Sequence, residues 1–264
     1  MRFKDQVVIV TGAAKGIGLH AAQLFADEGA TVAINDLDAN AVAEAVNGIR
    51  DRGGRALGIP GDVSKIDDVQ ANVRSVLEQA DGIDVLVNNA GVFSLDPARR
   101  VTPDAWRRVM SVNLDGVFYW AQAVAVASMI PRRRGSIINI ASIAGLAGVP
   151  DAASYVASKH GVVGLTKALA VEWGQHNVRV NAVCPGLTWT DMPSAAKLQN
   201  PRMYEERERR IPLGRAATTF DQARAILYLA SSDADSVHGL IMNVDGGNLA
   251  MSSGSSVSID NIAA

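Results

Sequence analysis

Residues 154–160 read SYVASKH, which sets a phenol, Tyr155, four positions before an amine, Lys159. In a helix, side chains at i and i+4 share one face, with β-carbons about 5–6 Å apart. A free tyrosine, with a pKa of about 10, is too little ionised near neutrality to act as a base. An ammonium about 4 Å away, at an effective dielectric of about 20, stabilises the phenolate by roughly 4 kcal/mol. At about 1.36 kcal/mol per unit, that brings the phenol's pKa down by about three units, toward 7. Burial works against this by disfavouring the charged form, and on these magnitudes the cation wins. Such a pair could pass a proton to or from a bound molecule. Taken alone it is more simply two surface side chains, so the rest of the chain has to decide.

A second group with chemical potential is the loop VTGAAKGIG at 10–18, with glycines at 12, 16 and 18. It follows an apolar β-branched run and opens a helical stretch. Gly12, Gly16 and Gly18, with Lys15 and Ile17 between, would let backbone approach a pyrophosphate seated on the helix N-terminus. The spacing is not G-x-G-x-x-G, and Lys15 precedes Gly16 rather than following it, so no Walker A pattern is present. Asp36, followed by Leu37, stands just past the next β-branched run, twenty residues after Gly16. There a carboxylate can accept hydrogen bonds from both adenosine ribose hydroxyls and repel a 2′-phosphate, which favours NAD over NADP. Lys15 pulls the other way, as a cation able to receive that phosphate.

These groups need a scaffold, and the hydrophobic pattern supplies one. Near-continuous apolar runs at 6–11, 31–35, 83–89, 136–142, 178–184 and 240–244 read as strands covered on both faces, with 55–60 a weaker seventh. Helical patterns lie between them, one with Ser64 placed to cap its start and Gly82 its end. Strand and helix in alternation with short loops predict a single-domain α/β fold: a doubly wound, Rossmann-like, parallel seven-stranded sheet with helices on both faces. Residues 1–250 form that domain. Segment 187–214 is long, highly charged and follows a strand end, which suits a lid over a substrate. Residues 251–264 read as a Ser-rich tail.

Composition narrows the function classes. The chain has 264 residues, 48% hydrophobic and 20% charged, with net charge −2 and pI ≈ 6.1. There is no general electrostatic pull toward nucleic acid or an anionic membrane. The one basic run, PRRRG at 131–135, suits a helix C-terminus turning into a strand. A single cysteine, Cys184, excludes an internal disulfide and a multi-cysteine metal site, and reads as a buried thiol. The four histidines lack zinc-ligand spacing, so no metal is expected. No apolar window reaches membrane-spanning length and the N-terminal run is too short for a signal peptide, making the reducing cytoplasm the expected location.

TGAAKGIG (11–18), GDV (61–63), NNAG (88–91), Asn113 in VN, Ser142, YVASK (155–159), CPG (184–186) followed by Thr190, and VDGG (244–247) occur in this order. Together they resemble the short-chain dehydrogenase/reductase family over nearly the whole chain. The resemblance implies a nicotinamide-dependent oxidoreductase with Asn113, Ser142, Tyr155 and Lys159 as its catalytic set. It implies that Asp62 and Val63 flank the adenine, that Asn89, Ala90 and Gly91 close the ribose region, and that Pro185, Gly186, Thr188, Thr190 and Met192 hold the nicotinamide end. Thr188 departs from the isoleucine or valine frequent there, although its backbone could still bond the carboxamide.

In that frame Tyr155 would take a proton as hydride leaves a secondary alcohol, and give it back in reduction. Ser142 would hold the substrate oxygen, Lys159 would also bond the nicotinamide ribose, and Asn113 would position a water linking Lys159 to solvent. By analogy Phe93, Ser94, Ser142, Ile143, Leu146, Val149, Tyr155, Leu187 and Met192 border the substrate, a fairly apolar alcohol or ketone. A homotetramer or homodimer joined through helices near 102–130 and 152–174 is expected by resemblance. Two rival readings remain at this point: an NADPH-dependent reductase of 3-oxoacyl thioesters, supported by Lys15, and a non-catalytic dinucleotide-binding scaffold.

Overall fold

The computed structural model describes residues 1–190 and 201–251. Strands β1 (Val7–Thr11), β2 (Thr31–Asn35), β3 (Arg55–Gly58), β4 (Val85–Asn88), β5 (Gly135–Ile140), β6 (Val178–Pro185), the two-residue β7 (Thr188–Trp189) and β8 (Ala217–Thr218), and β9 (Ile241–Val244) occur along the chain. Seven of them form one parallel sheet in the order β3-β2-β1-β4-β5-β6-β9. All seven expected strands are there, each ending within two residues of its expected bounds. The small parallel pair β7–β8 was not foreseen. The strand order reverses between β1 and β4, which opens a crevice at their carboxyl ends.

The helices are α1 (Gly16–Asp27), α2 (Ala39–Asp51), α3 (Ile66–Leu77), α4 (Pro103–Met110), α5 (Gly116–Val124), α6 (Ile130–Arg132), α7 (Ala153–Trp173), α8 (Pro201–Arg209) and α9 (Thr219–Ala230). Two π turns, Ser111–Asp115 and Ala125–Met129, join α4, α5 and α6 into one rod. Side chains alternate along β1: Val8 and Val10 enter a core shared with α1, α2 and α9, while Val7 and Ile9 enter one shared with α3, α5 and α7. Apolar residues on both sides of the pleat are why the strand runs look continuous rather than alternating. Among the described residues no helix is long and apolar enough to cross a membrane.

Two local expectations need correction or extension. Ser64 does not cap α3: its hydroxyl donates to Asp62 (2.7 Å), Lys65 holds the N-cap position, and the helix stops at Leu77, short of Gly82. The Asp62 carboxylate competes successfully for a hydroxyl two residues away, as Asx turns do. The PRRRG run does end a helix, with Arg133 left-handed at φ 51. Two of its arginines also meet the buried Asp84 carboxylate, Arg132 at 3.0 Å and Arg134 at 3.4 Å.

A buried polar chain fixes α7 on the sheet. Asn88 on β4 donates to Asn139 on β5 (2.9 Å), and Asn139 donates to Thr166 on α7 (2.9 Å). Thr166 in turn donates back to the Val162 carbonyl (2.8 Å). All three polar side chains are almost wholly buried. Replacing Asn139 by Ala strips partners from two buried groups, and should lower the unfolding free energy by about 2–4 kcal/mol. Urea unfolding checks this, and a loss below about 0.5 kcal/mol would mean that the chain of amides adds no net stability.

Candidate active site

A cleft of ≈ 780 Å³ opens at the reversal of strand order, a volume suited to a cofactor. Of the residues proposed to hold a cofactor, Gly12, Lys15, Gly16, Ile17, Asp36, Leu37, Asp62, Val63, Asn89, Ala90, Gly91 and Thr190 line it. Asn35, Gly61, Ser64, Val92, Arg108, Ser111 and Val112 line it too, without having been assigned to it. Gly61 opens the GDV motif and Asn35, Ser64 and Val92 adjoin recognised motifs, while the last three precede Asn113 on the same rod, a spacing that could have flagged them.

The loop and the NNAG turn are built against each other. Gly12 has φ +61, and a Cβ there would stand 2.7 Å from the Ala90 Cα, so only glycine allows the contact. Thr11, another residue missed in the sequence, accepts from the Asn89 and Ala90 amides (3.0 and 3.1 Å). Asn89 returns hydrogen bonds from its side-chain amide to the Thr11 and Gly12 carbonyls (3.0 and 2.8 Å). Gly18 lies behind the loop, packed on the Gly12 carbonyl, where it supports the turn.

The groups present fit a dinucleotide. Lys15, at the N-cap of α1, makes no side-chain cap bond, and no acidic residue stands in the first turn. The amides and positive helix end at Gly16 and Ile17 therefore suit a pyrophosphate. Asp36 is oriented by the Ala14 and Leu37 amides (3.1 and 2.8 Å), and it lines the cleft. Asp62 is held by the Ser64 amide and hydroxyl (2.9 and 2.7 Å).

Tyr155 and Lys159 do share the first turns of α7, as the spacing requires. The Ser142 turn is laid against them because Gly145 has no side chain: a Cβ there would be 2.7 Å from the Lys159 carbonyl. Ser142 accepts from the Ala144 amide (3.1 Å) and stands close enough to the Tyr155 phenol to favour its ionised form. Asn113, in the π turn, accepts from the Val92 amide (2.8 Å) and donates to the Val92 carbonyl (2.9 Å). It also donates to Ser158 (3.2 Å), whose hydroxyl donates to the Tyr155 carbonyl (2.8 Å). Its side chain thus clamps backbone rather than standing free to hold a water, and the buried Ser158 is a link unseen in the sequence.

The electrostatics correct the expectation drawn from spacing. Helix geometry fixes where the β-carbons lie, not where a long amine points. Lys159 donates to the Ile140 carbonyl at the end of β5 (2.7 Å), and its Nζ stands 5.7 Å from the Tyr155 ring centroid. Burial therefore dominates for both groups. It pushes the phenol above its ordinary range, with the nearby Ser142 hydroxyl opposing it, and pushes the amine down to about 8. Cys184 is buried nearby and pushed up to about 11, chiefly by burial, so it stays a protonated thiol.

Of the residues expected around the substrate, Phe93 packs edge-on against Tyr155, while Ser94 donates its hydroxyl to Asp96 (2.7 Å). Ile143, Leu146 and Val149 follow Ser142 on its turn and the loop beyond. Phe93, Leu95 and Leu146 remain 38%, 49% and 40% exposed, so large apolar side chains stay accessible on the segments that carry Phe93 and follow Ser142. Pro185 closes β6 and Gly186 packs on Asp245. Thr188 turns its hydroxyl inward, donating to the Gly186 carbonyl (3.1 Å) and accepting from Gln222 (3.1 Å). The Leu187 carbonyl accepts from the Ala217 amide (2.9 Å).

Met192, part of the expected lid and most of the expected tail lie outside the described residues. The described lid portion is anchored at two points. Trp189 donates to Glu208 on α8 (3.0 Å), and Ile211 and Pro212 pack on Gly246 and Gly247 of the VDGG segment.

Comparison with known proteins adds an independent line. A family model described as enoyl-(acyl carrier protein) reductase matches residues 12–248. A 3-oxoacyl-(acyl-carrier-protein) reductase of Chlamydia trachomatis is 38% identical over 244 residues, 92% of this chain and 97% of that protein. A cyclopentanol dehydrogenase of Comamonas sp. is 39% identical over 254 residues, 93% of this chain and 98% of that protein. The crystal structure of a gluconate 5-dehydrogenase from Burkholderia cenocepacia, in complex with NADP and tartrate, superposes with TM-score 0.89 at 35% identity. That match covers 95% of this chain and 98% of that one.

The depressed amine has a consequence for stability. Lys159 falls from 10.5 to about 8 on folding, so between these values the unfolded chain binds more protons. Stability from this group therefore rises with pH across that window, and the buried ammonium costs most below its lower end. Relative to a Lys159→Met variant, the parent should gain about 2 kcal/mol between about pH 7.5 and 10 in urea unfolding. A difference that stays constant with pH would show that the amine is not held out of water.

Proposed function

The chain belongs to the short-chain dehydrogenase/reductase family of oxidoreductases, and on that premise we propose that it interconverts a secondary alcohol and a ketone with NAD as hydride carrier. The observation that carries this reading is the meeting of Ser142, Tyr155 and Lys159 beside a cleft that fits a dinucleotide. Bound NAD would supply the hydride acceptor and a positive ring that favours phenolate. Ser142 holds the substrate oxygen beside the phenol and stabilises charge developing on it. Tyr155 takes the hydroxyl proton in oxidation and returns it in reduction. Lys159, with a pKa of about 8, is poised to pass a proton onward near neutrality and to bond the cofactor's ribose.

The choice of NAD rests on Asp36. Its two oxygens each accept a backbone amide and the residue lines the cleft, where a carboxylate would suit ribose hydroxyls and repel a further phosphate. The exposed apolar side chains Phe93, packed on Tyr155, and Leu146, shortly after Ser142, support an alcohol or ketone with a hydrocarbon body, in keeping with the cyclopentanol dehydrogenase relative. The second reading, an NADPH-dependent reduction of 3-oxoacyl thioesters, draws on the Chlamydia relative and on Lys15 and Arg108, two cations at the cleft. A non-catalytic scaffold is disfavoured, since binding alone gives no reason to set Ser142 and a buried amine around a half-buried phenol.

Absorbance of the reduced nicotinamide separates these readings. The purified protein is mixed with NAD and cyclic or acyclic secondary alcohols, and with NADPH and 3-oxoacyl thioesters. NAD-linked alcohol oxidation is expected, while turnover confined to NADPH and thioesters would replace this reading with the second. Asp36→Ala should lower kcat/KM for NAD by about 10–100-fold and shift the ratio toward NADP. An unchanged ratio would show that Asp36 does not read the ribose.

A further inference from the structure

Phe93 does more than border the substrate. Its ring meets that of Tyr155 edge-on, with centroids 4.8 Å apart and planes at 89°. This is a favoured geometry for two aromatic rings. The segment carrying Phe93 is pinned at both ends. On one side the Asn113 amide grips Val92 through both its backbone groups (2.8 and 2.9 Å). On the other, the Asp96 amide donates to the Asp151 carbonyl (2.6 Å), and Asp96 bridges Ala152, the residue immediately before α7. Asp151 holds a left-handed φ of 58 at that joint, a conformation that aspartate tolerates better than most non-glycine residues. Between the pins, Ser94 donates to Asp96 (2.7 Å), which stiffens the short span further.

We propose that Phe93 is a positioning residue for Tyr155, fixing the tilt of the phenol toward Ser142 and shielding one side of it from water. This rests on the reading of Tyr155 as the proton-transfer group. The two pins also define what Asn113 does in the structure, since by holding Val92 it holds the ring that holds the phenol. The other groups around the phenol are Lys159 on its own helix, Cys184 near the end of β6, and the Ser142 hydroxyl. Burial raises the phenol by more than the opposing Ser142 contact lowers it, so loss of cover should outweigh any loosening of the tilt toward Ser142, and the phenol should ionise more easily.

The test titrates Tyr155 directly, through tyrosinate absorbance in the ultraviolet, taking each protein against its own Tyr155→Phe counterpart. Phe93→Ala should lower the Tyr155 midpoint by about one unit, and Phe93→Leu, which keeps apolar cover, by less. In the same variants kcat should fall about tenfold for Phe93→Ala while NAD affinity stays within about twofold. An unchanged midpoint in Phe93→Ala, even with a higher KM, would make Phe93 a wall of the substrate pocket and overturn the proposal. The shifted midpoint in a protein whose parent shows no nicotinamide-linked turnover would uphold the contact and overturn the functional reading instead.

Discussion

A buried ammonium is the constraint around which the site is arranged. Lys159 is 4% exposed, and a charge withdrawn from water costs several kcal/mol unless neighbouring dipoles replace the lost solvation. The Ile140 carbonyl supplies one such dipole, which ties α7 to the last residue of β5. The helix can occupy that position because Gly145 admits it against the Ser142 turn and because Asn88, Asn139 and Thr166 form a continuous polar path beneath it. Burying the amine and placing the phenol beside Ser142 are thus one structural act.

Cofactor cleft and catalytic groups are joined through the NNAG turn and the π turn. Gly91 lines the cleft, and a Cβ added to it would come 3.3 Å from Asn113 and 3.7 Å from the Lys159 amine. Asn113 reaches in two directions, to Val92 and through Ser158 to the Tyr155 backbone. A π turn widens a helix locally and recurs at functional sites. Here it sets Asn113 at the junction of the glycine turn, the catalytic helix and the segment bearing Phe93.

Most of the architecture was legible in the residues. Strands buried on both faces leave apolar runs, and each of the seven runs is a strand in the sheet. Helix periodicity placed Tyr155 and Lys159 on one face, and Gly12, Gly16 and Asp36 line the cleft while Gly18 lies behind it. What escaped were contacts between residues distant in sequence. Thr11 meets Asn89 across 78 positions, and Asn113 meets Val92 across 21. Neither leaves a periodic trace. The proton affinity of the phenol was misjudged for a related reason. The Coulomb argument needed the position of the amine nitrogen, and a carbonyl 19 residues earlier in the chain decided that position.

At the centre stands a proton exchanged at one phenol in step with hydride transfer to a bound dinucleotide. The most direct measurement compares Tyr155→Phe with the parent in two assays: NAD affinity by quenching of protein fluorescence, and single-turnover formation of reduced nicotinamide with an alcohol that the parent oxidises. NAD affinity should stay within about twofold while the hydride-transfer rate falls by about 10²–10⁴-fold, the usual worth of a general base. Hydride transfer at a rate near that of the parent would show that the proton leaves by another route.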